Sequence, residues 1–221
     1  MGAVLAGARG KKEMGWLGRF KALMGDWRYH IKEEGWRSAL PRVASSIVQL
    51  PYCHLKFVLL TRSLLEPLPD LSPKIPLEIR PFQPADLDFA RKEFLPSEAG
   101  LCEQHIHLGH HGLVACLDGQ VAGYGWGCTD TVLERIDLKL EPGDVLCTDA
   151  FTAPAFRGKG VQTTISLARL RAFQEAGYKR AVAYIEIHNK PSLAVWKKIG
   201  AEVISQIDFK RIDFWRITRY S

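Results

Sequence analysis

The stretch Pro154-Ala155-Phe156-Arg157-Gly158-Lys159-Gly160 carries residue types that can hold an anion. Its two glycines permit a tight turn that brings backbone N–H groups close to a ligand. A helix starting at Val161 would add unpaired donors and a partial positive charge at the same spot. Arg157 and Lys159 contribute two full charges, so the turn suits phosphate. On its own, a short Gly-Lys-Gly turn serves equally well as a structural connection from strand to helix. A P-loop is excluded, because its glycine spacing and Lys-Ser/Thr pair are missing.

Acid–base chemistry has several candidates. Asp149, in Thr148-Asp149-Ala150-Phe151, suits a base acting through a water, or equally a carboxylate that pairs with a neighbouring charge or caps a turn. Glu186 is a second candidate base, with an outward-facing, salt-bridged glutamate as the other reading. His105, His107, His110 and His111 form a cluster whose imidazoles titrate near neutrality, so one of them could act as a base. The cluster has neither fixed helical spacing nor an accompanying acid pattern, and it reads as a solvated loop rather than a metal site. Tyr124 and Trp126 suit the wall of a cleft or the core.

These residues need elements to hold them. Val145 to Thr152 reads as a strand leading into the glycine turn, followed by a helix from about Val161 to Ala176 that Gly177 ends. Ala181 to Ile187 is a buried-type strand, Pro191 to Ile199 a helix stopped by Gly200, and Glu202 to Tyr220 one or two closing strands. Upstream, Leu77 to Arg80 alternates as a strand, and Pro84 to Ala90 starts a helix with acids in its first turn. Leu113 to Leu117 and Val121 to Trp126 flank Asp118-Gly119-Gln120, a hairpin signal. Together these predict a mixed α/β (α+β) domain built around an antiparallel hairpin.

With its neighbours in view, the turn gains specificity. Thr152 to Val161 resembles the cofactor motif of the GNAT superfamily of N-acyltransferases, in which Gln or Arg is followed by two residues, Gly, one residue, and Gly or Ala. Asn189-Lys190-Pro191-Ser192-Leu193-Ala194-Val195-Trp196-Lys197-Lys198-Ile199-Gly200 is similar to that family's second signature, about thirty residues on. The resemblance covers roughly residues 77 to 205. It implies a twisted, mostly antiparallel sheet flanked by helices, with the strands at 145–152 and 181–187 splaying apart around a pantetheine arm. It also implies an acyl-CoA co-substrate, acetyl-CoA by default, and no metal. Arg157, Gly158, Lys159, Gly160, Val161 and Gln162 would hold its pyrophosphate, and Phe151 and Thr152 its pantetheine amides. An N–H near Ala150 would polarise the thioester. Asn189 and Ser192 would line the pantetheine or support its helix, with Trp196 on the same signature. Asp149 resembles an acid placed near the acceptor, and the histidines precede a hairpin that borders the acceptor pocket.

Two positions depart from the family pattern. Gln162 stands where Gly or Ala is preferred, and its side chain crowds the helix entry unless it turns away or adds a contact. Trp196 stands where many relatives carry a tyrosine that protonates the departing thiolate, and an indole N–H is too weak an acid for that. The implied function is acyl transfer to an amine, a small amine or amino sugar first and a protein amine second. The contrasting reading is a non-catalytic acyl-CoA-binding module.

The ends and the composition bound the rest. Of the 221 residues, the first fifty hold nine bases against four acids, which places +5 of the net +6 there. Trp16, Trp27 and Trp36 accompany this charge. The segment suits either a helical arm packed on its own domain or a surface for an anionic partner, a membrane or a nucleic acid; of the last three, nucleic acid is not expected. We expect residues 1–25 to be poorly ordered and 26–66 to form a basic helical extension ending in a strand at Leu55 to Leu60. A Pro-rich linker follows at 67–76, and the catalytic domain at 77–221. Five widely spaced cysteines without a C-x-x-C pair argue against a disulfide framework or thiolate zinc site. No apolar run reaches the roughly 20 residues that span a bilayer, and the expectation is a cytoplasmic protein, with homodimerisation left open.

Overall fold

A computed structural model of the chain describes residues 52–71, 73–93, 96–129, 132–133, 138–212 and 215–220. The helices expected within 26–50, and residues 1–25, lie outside the described residues. The described strands are β1 (Tyr52–Ser63), β2 (Glu78–Pro81), β3 (His111–Leu117), β4 (Gln120–Cys128), β5 (Val132–Leu133), β6 (Leu138–Lys139), β7 (Asp144–Thr152), β8 (Arg180–Glu186), β9 (Glu202–Ile212) and β10 (Trp215–Tyr220). The helices are α1 (Asp86–Glu93), α2 (Pro96–His107), α3 (Val161–Glu175) and α4 (Lys190–Lys198). Eight strands form one sheet in the order β10-β9-β1-β8-β7-β4-β3-β2. Among the described residues, only the β7–β8 pair is parallel, so the sheet is mixed and mostly antiparallel, as expected.

Local chemistry explains the elements. Asp118 and Gly119 both have positive φ (49° and 76°), the signature of the two-residue turn that closes the β3–β4 hairpin. The central strands are apolar on both faces. Val145, Cys147, Ala181, Ala183 and Ile185 pack under α3 and α4 with Leu167, Leu170 and Trp196. Leu146 and Val182 point the other way, into a second cluster with Phe57, Leu59, Ile207 and Phe209.

The strand expected in the extension is part of this sheet. β1 pairs with β8 from Phe57 to Ser63 and with β9 from Tyr52 to Thr61. A strand that buries Phe57 and Leu59 on one face and Leu60 on the other has no solvent face, and such strands sit inside sheets. The proline-rich stretch that follows runs back along α3. Gln174 Nε2 donates to Leu64 O and Glu66 O, Arg171 approaches Asp70 at 3.6 Å, and Ile75 and Leu77 pack near Val161. It crosses from the end of α3 to its start, tying the halves of the chain together. Helix α2 was not foreseen, because Gly100 sits inside it and its apolar residues form no clear stripe. Among the described residues, no helix is long and apolar enough to cross a membrane.

Candidate active site

Strand β7 positions both ends of the site. It pairs with β8 only through Asp144↔Arg180, Val145↔Ala181 and Leu146↔Val182. Beyond these, β7 follows β4 as far as Thr152, whereas β8 follows β1 as far as Glu186. The two strands therefore part company, leaving a cleft edged by the backbone of Cys147 to Thr152. This is the splay that the family resemblance implies.

At the open end, Pro154–Phe156 forms one 3-10 turn, and Gly158 and Gly160 take φ of 76° and 88°. A side chain at Gly160 would meet only Lys74 N, at 3.8 Å, so the positive φ rather than crowding favours glycine there. Gly160 starts α3 without a side-chain cap, and no acid lies in the first turn. The first helical bond is Thr164 N to Gly160 O, so the N–H groups of Val161, Gln162 and Thr163 precede the ladder and face outward with the positive end of the helix dipole. Arg157 Nε bonds Thr152 O at 3.3 Å and Lys159 Nζ lies 5.5 Å from the Phe156 ring centre, which keeps both exposed cations at the turn. Gln162 does not crowd the entry. Its Oε1 accepts from the Thr152 hydroxyl at 3.2 Å, and its Nε2 is buried without a partner. Lys74, which the strap brings beside Gly160, was not foreseen.

Partway along β7 the register with β4 slips. Trp126 faces Thr148 and Tyr124 faces Phe151, so β7 holds one residue too many at Asp149-Ala150. Asp149 takes φ 42°, a conformation unfavourable for a residue with a side chain, and the bulge re-aims its carboxylate. Asp149 Oδ2 lies 2.7 Å from His105 Nε2. His105 is 6 % exposed and stacks on Trp126, 4.8 Å between centroids and 10° between planes. Its other nitrogen, Nδ1, is 2.7 Å from His110 Nδ1, and Cys128 Sγ lies 3.3 Å from the same His110 atom. His105 is therefore a buried helical residue rather than part of a solvated loop, while His107 and His111 are exposed. Behind the bulge, Arg169, 2 % exposed, donates through Nη1 to Trp126 O and to Thr148 O, clamping β4 to β7.

Glycine makes this approach possible. A side chain at Gly123 would strike Phe151 O at 2.6 Å, one at Gly125 would meet Arg169 Nη1 at 3.1 Å, and one at Gly127 would strike Phe173 at 2.3 Å. The alternation Gly123, Gly125, Gly127 against Tyr124, Trp126, Cys128 thus gives α3 one face of β4 and the histidine corner the other. That period of two, visible in the sequence, was the missed signal for Cys128 and Arg169.

The remaining residues of the expected site are more dispersed. Phe151 and Thr152 lie on the cleft strand. Asn189 caps α4, its Oδ1 accepting from Ser192 N at 3.2 Å, so both serve the helix start. Glu186 is exposed at the end of β8, opposite Phe57. Trp196, 4 % exposed, packs in the core with Leu60, Leu167 and Leu170.

Comparisons with known proteins agree with this architecture. Solved structures share the fold, three of them as follows. A Drosophila protein from structural genomics has TM-score 0.53 and 15% identity, over 85% of this chain and 58% of its own. A GCN5-related N-acetyltransferase of Sphaerobacter thermophilus has TM-score 0.51 and 13% identity, over 83% and 56%. A putative GNAT-family acetyltransferase of Novosphingobium aromaticivorans has TM-score 0.51 and 10% identity, over 77% and 68%. The chain thus spans little more than half the length of the first two. At these identities the likeness is one of fold alone. No curated protein matches the sequence. The sequence pattern of the Acetyltransferase (GNAT) family matches residues 77–201, more than half of the chain, and the chain belongs to that family.

Proposed function

We propose that the chain moves an acyl group, acetyl by default, from acyl-CoA to the amine of a small molecule such as an amine or amino sugar, by direct attack in a ternary complex. The observation that carries this reading is the continuity of the β7–β8 cleft with the uncapped, acid-free start of α3. An extended arm fits the first and a pyrophosphate the second. The buried, unpartnered Gln162 Nε2 beside Thr152 offers a further donor at their junction. Acyl-CoA supplies the thioester that the amine attacks.

The protein's part is placement and proton handling. The N–H groups of Val161, Gln162 and Thr163, with Arg157 and Lys159, would hold the pyrophosphate, and the Cys147–Thr152 backbone would align the arm. Such positioning can contribute roughly 7 to 11 kcal/mol to an intramolecular attack. At the bulge, an N–H near Ala150 would polarise the thioester carbonyl as it gathers charge. Asp149 would take the proton from the attacking amine, directly or through a water, while His105 Nε2 holds the carboxylate in place. An anionic carboxylate at the acceptor side favours a cationic amine over a fatty acceptor. Trp196 lies in the core, so water or another group would give the departing thiolate its proton.

Isothermal titration with acetyl-CoA, followed by thiol release across a panel of amines and amino sugars, tests the reading. Micromolar binding and turnover with at least one small amine are expected. Binding without thiol release from any amine would overturn the catalytic part.

A further inference from the structure

We infer that His105, His110 and Cys128 form a site for a zinc-type divalent transition-metal ion, with Asp149 supporting it from behind. The three candidate ligand atoms all lie within 4.8 Å of one another. Their separations are 2.7 Å between the two Nδ1 atoms, 3.3 Å from Cys128 Sγ to His110 Nδ1 and 3.9 Å from Sγ to His105 Nδ1. A tetrahedral zinc with Zn–N near 2.0–2.1 Å and Zn–S near 2.3 Å sets ligand atoms about 3.3 to 3.6 Å apart. The pair of imidazoles needs to open by about 0.6 to 0.7 Å, and the thiol to move about 0.3 to 0.4 Å toward His105 and about 0.2 to 0.3 Å away from His110. The ligands come from three places: the last turn of α2, the turn after it and the end of β4.

The second observation is the carboxylate behind His105. With Asp149 Oδ2 2.7 Å from its Nε2, a neutral His105 that donates from Nε2 presents its Nδ1 lone pair to His110 and Cys128. A ligating histidine whose far N–H is held by a carboxylate is the arrangement that fixes ring orientation and raises ligand basicity at metal sites. Stacking on Trp126 locks the same ring. Two imidazoles and a thiolate without a ligating carbonyl or carboxylate select a borderline ion over magnesium or calcium. Three protein ligands leave a fourth position for a water or a substrate atom. Leu108 and Gly109 beside His110 are exposed and give the ion a way in. Binding would release the Cys128 thiol proton to solvent as the thiolate forms. The sequence gives little hint of this site, because residues 105, 110 and 128 carry no metal-site spacing.

The site shares Asp149 and His105 with the proposed acyl transfer, but its test needs no CoA. Untagged full-length protein, stripped with a chelator, is titrated with Co²⁺ and then Zn²⁺. One Co²⁺ per chain is expected, with a near-ultraviolet thiolate-to-cobalt band that one equivalent of Zn²⁺ abolishes. Cys128→Ser should lose the band, and His110→Gln should weaken Co²⁺ binding at least about 10-fold. Zn²⁺ should raise the melting temperature of the wild type but not of either variant. His110 is only half-buried, so His110→Gln retains a readout should Cys128→Ser fail to fold. Absence of binding below millimolar metal would overturn the inference, leaving a simple N–H···N bond between the imidazoles. So would a cobalt band that survives Cys128→Ser, or unchanged affinity in His110→Gln.

Discussion

The phosphate-type turn and the histidine corner hang on the same strand, yet they are built in opposite ways. The turn is made of contiguous residues, from Thr152 to Thr164, and its donors are backbone N–H groups aimed by two left-handed glycines. The corner is made of side chains at 105, 110, 128 and 149, brought together by a helix, a turn, a hairpin strand and a bulge. Backbone sites tolerate changes of side chain and fail when charge or backbone geometry changes. Side-chain sites fail when one atom is replaced. The two regions should therefore separate in kinetics, with turn variants acting on the Michaelis constant for acyl-CoA and corner variants acting on kcat and its pH profile.

The largest expected effect is at the corner. Asp149→Asn keeps the size of the side chain and removes the proposed base, so kcat should fall about 10²- to 10⁴-fold while acetyl-CoA affinity measured by calorimetry stays unchanged. Equal losses in both quantities would mean that the bulge serves the cofactor rather than the proton. Next is the clamp that links the two regions. Arg169→Met leaves the Trp126 and Thr148 carbonyls without their buried donor and should cost about 2 to 4 kcal/mol in urea unfolding.

A smaller effect comes from a pair that steadies the corner's helices. Burial opposes ionisation of Asp86, but two hydrogen bonds from Arg80 and one from the Gln83 N–H outweigh it and hold the carboxyl below the usual carboxylate range. The folded state thus binds fewer protons than the unfolded one around this group. Its contribution is present above about pH 4 and is lost as pH falls through the lower, folded pKa. Asp86→Asn should lower stability at pH 7 by about 1 to 3 kcal/mol and flatten the acid limb of the melting curve. An unchanged acid limb would assign it to other carboxylates. The smallest effect belongs to the turn: Gln162→Ala should change the Michaelis constant for acetyl-CoA by no more than about threefold, because in the proposed site backbone N–H groups carry most of the pyrophosphate binding and the Gln162 side chain adds one neutral donor at most.

What could be read from the chain follows the same division. The hairpin, the strand-turn-helix run and the helix stops at Gly177 and Gly200 depend on local chemistry, and each appears where its residues indicate. The place of β1 was hidden because its partners, β8 and β9, lie more than a hundred residues away, and the prolines after it look like a domain boundary although they form a strap along α3. Helix α2 was hidden by Gly100, and with it the burial of His105. The Asp149–His105 contact depends on a one-residue slip between β4 and β7, which no periodicity announces. Trp196 looks like a signature residue and is a core residue, since the α4 face that carries it turns toward Leu167 and Leu170.

The central claim is that the start of α3 holds the phosphates of acyl-CoA, and Gly160→Asp tests it most directly. Aspartate tolerates a left-handed conformation better than most residues and can cap a helix, and the nearest atom to its Cβ would be Lys74 N at 3.8 Å, so the fold should persist. Its charge would stand where the pyrophosphate belongs. Calorimetric affinity for acetyl-CoA should drop about 100-fold or more in Gly160→Asp and much less in Gly160→Asn, while the two variants, which share the left-handed strain, melt at the same modestly lowered temperature. Equal affinity in the wild type and Gly160→Asp would contradict the account.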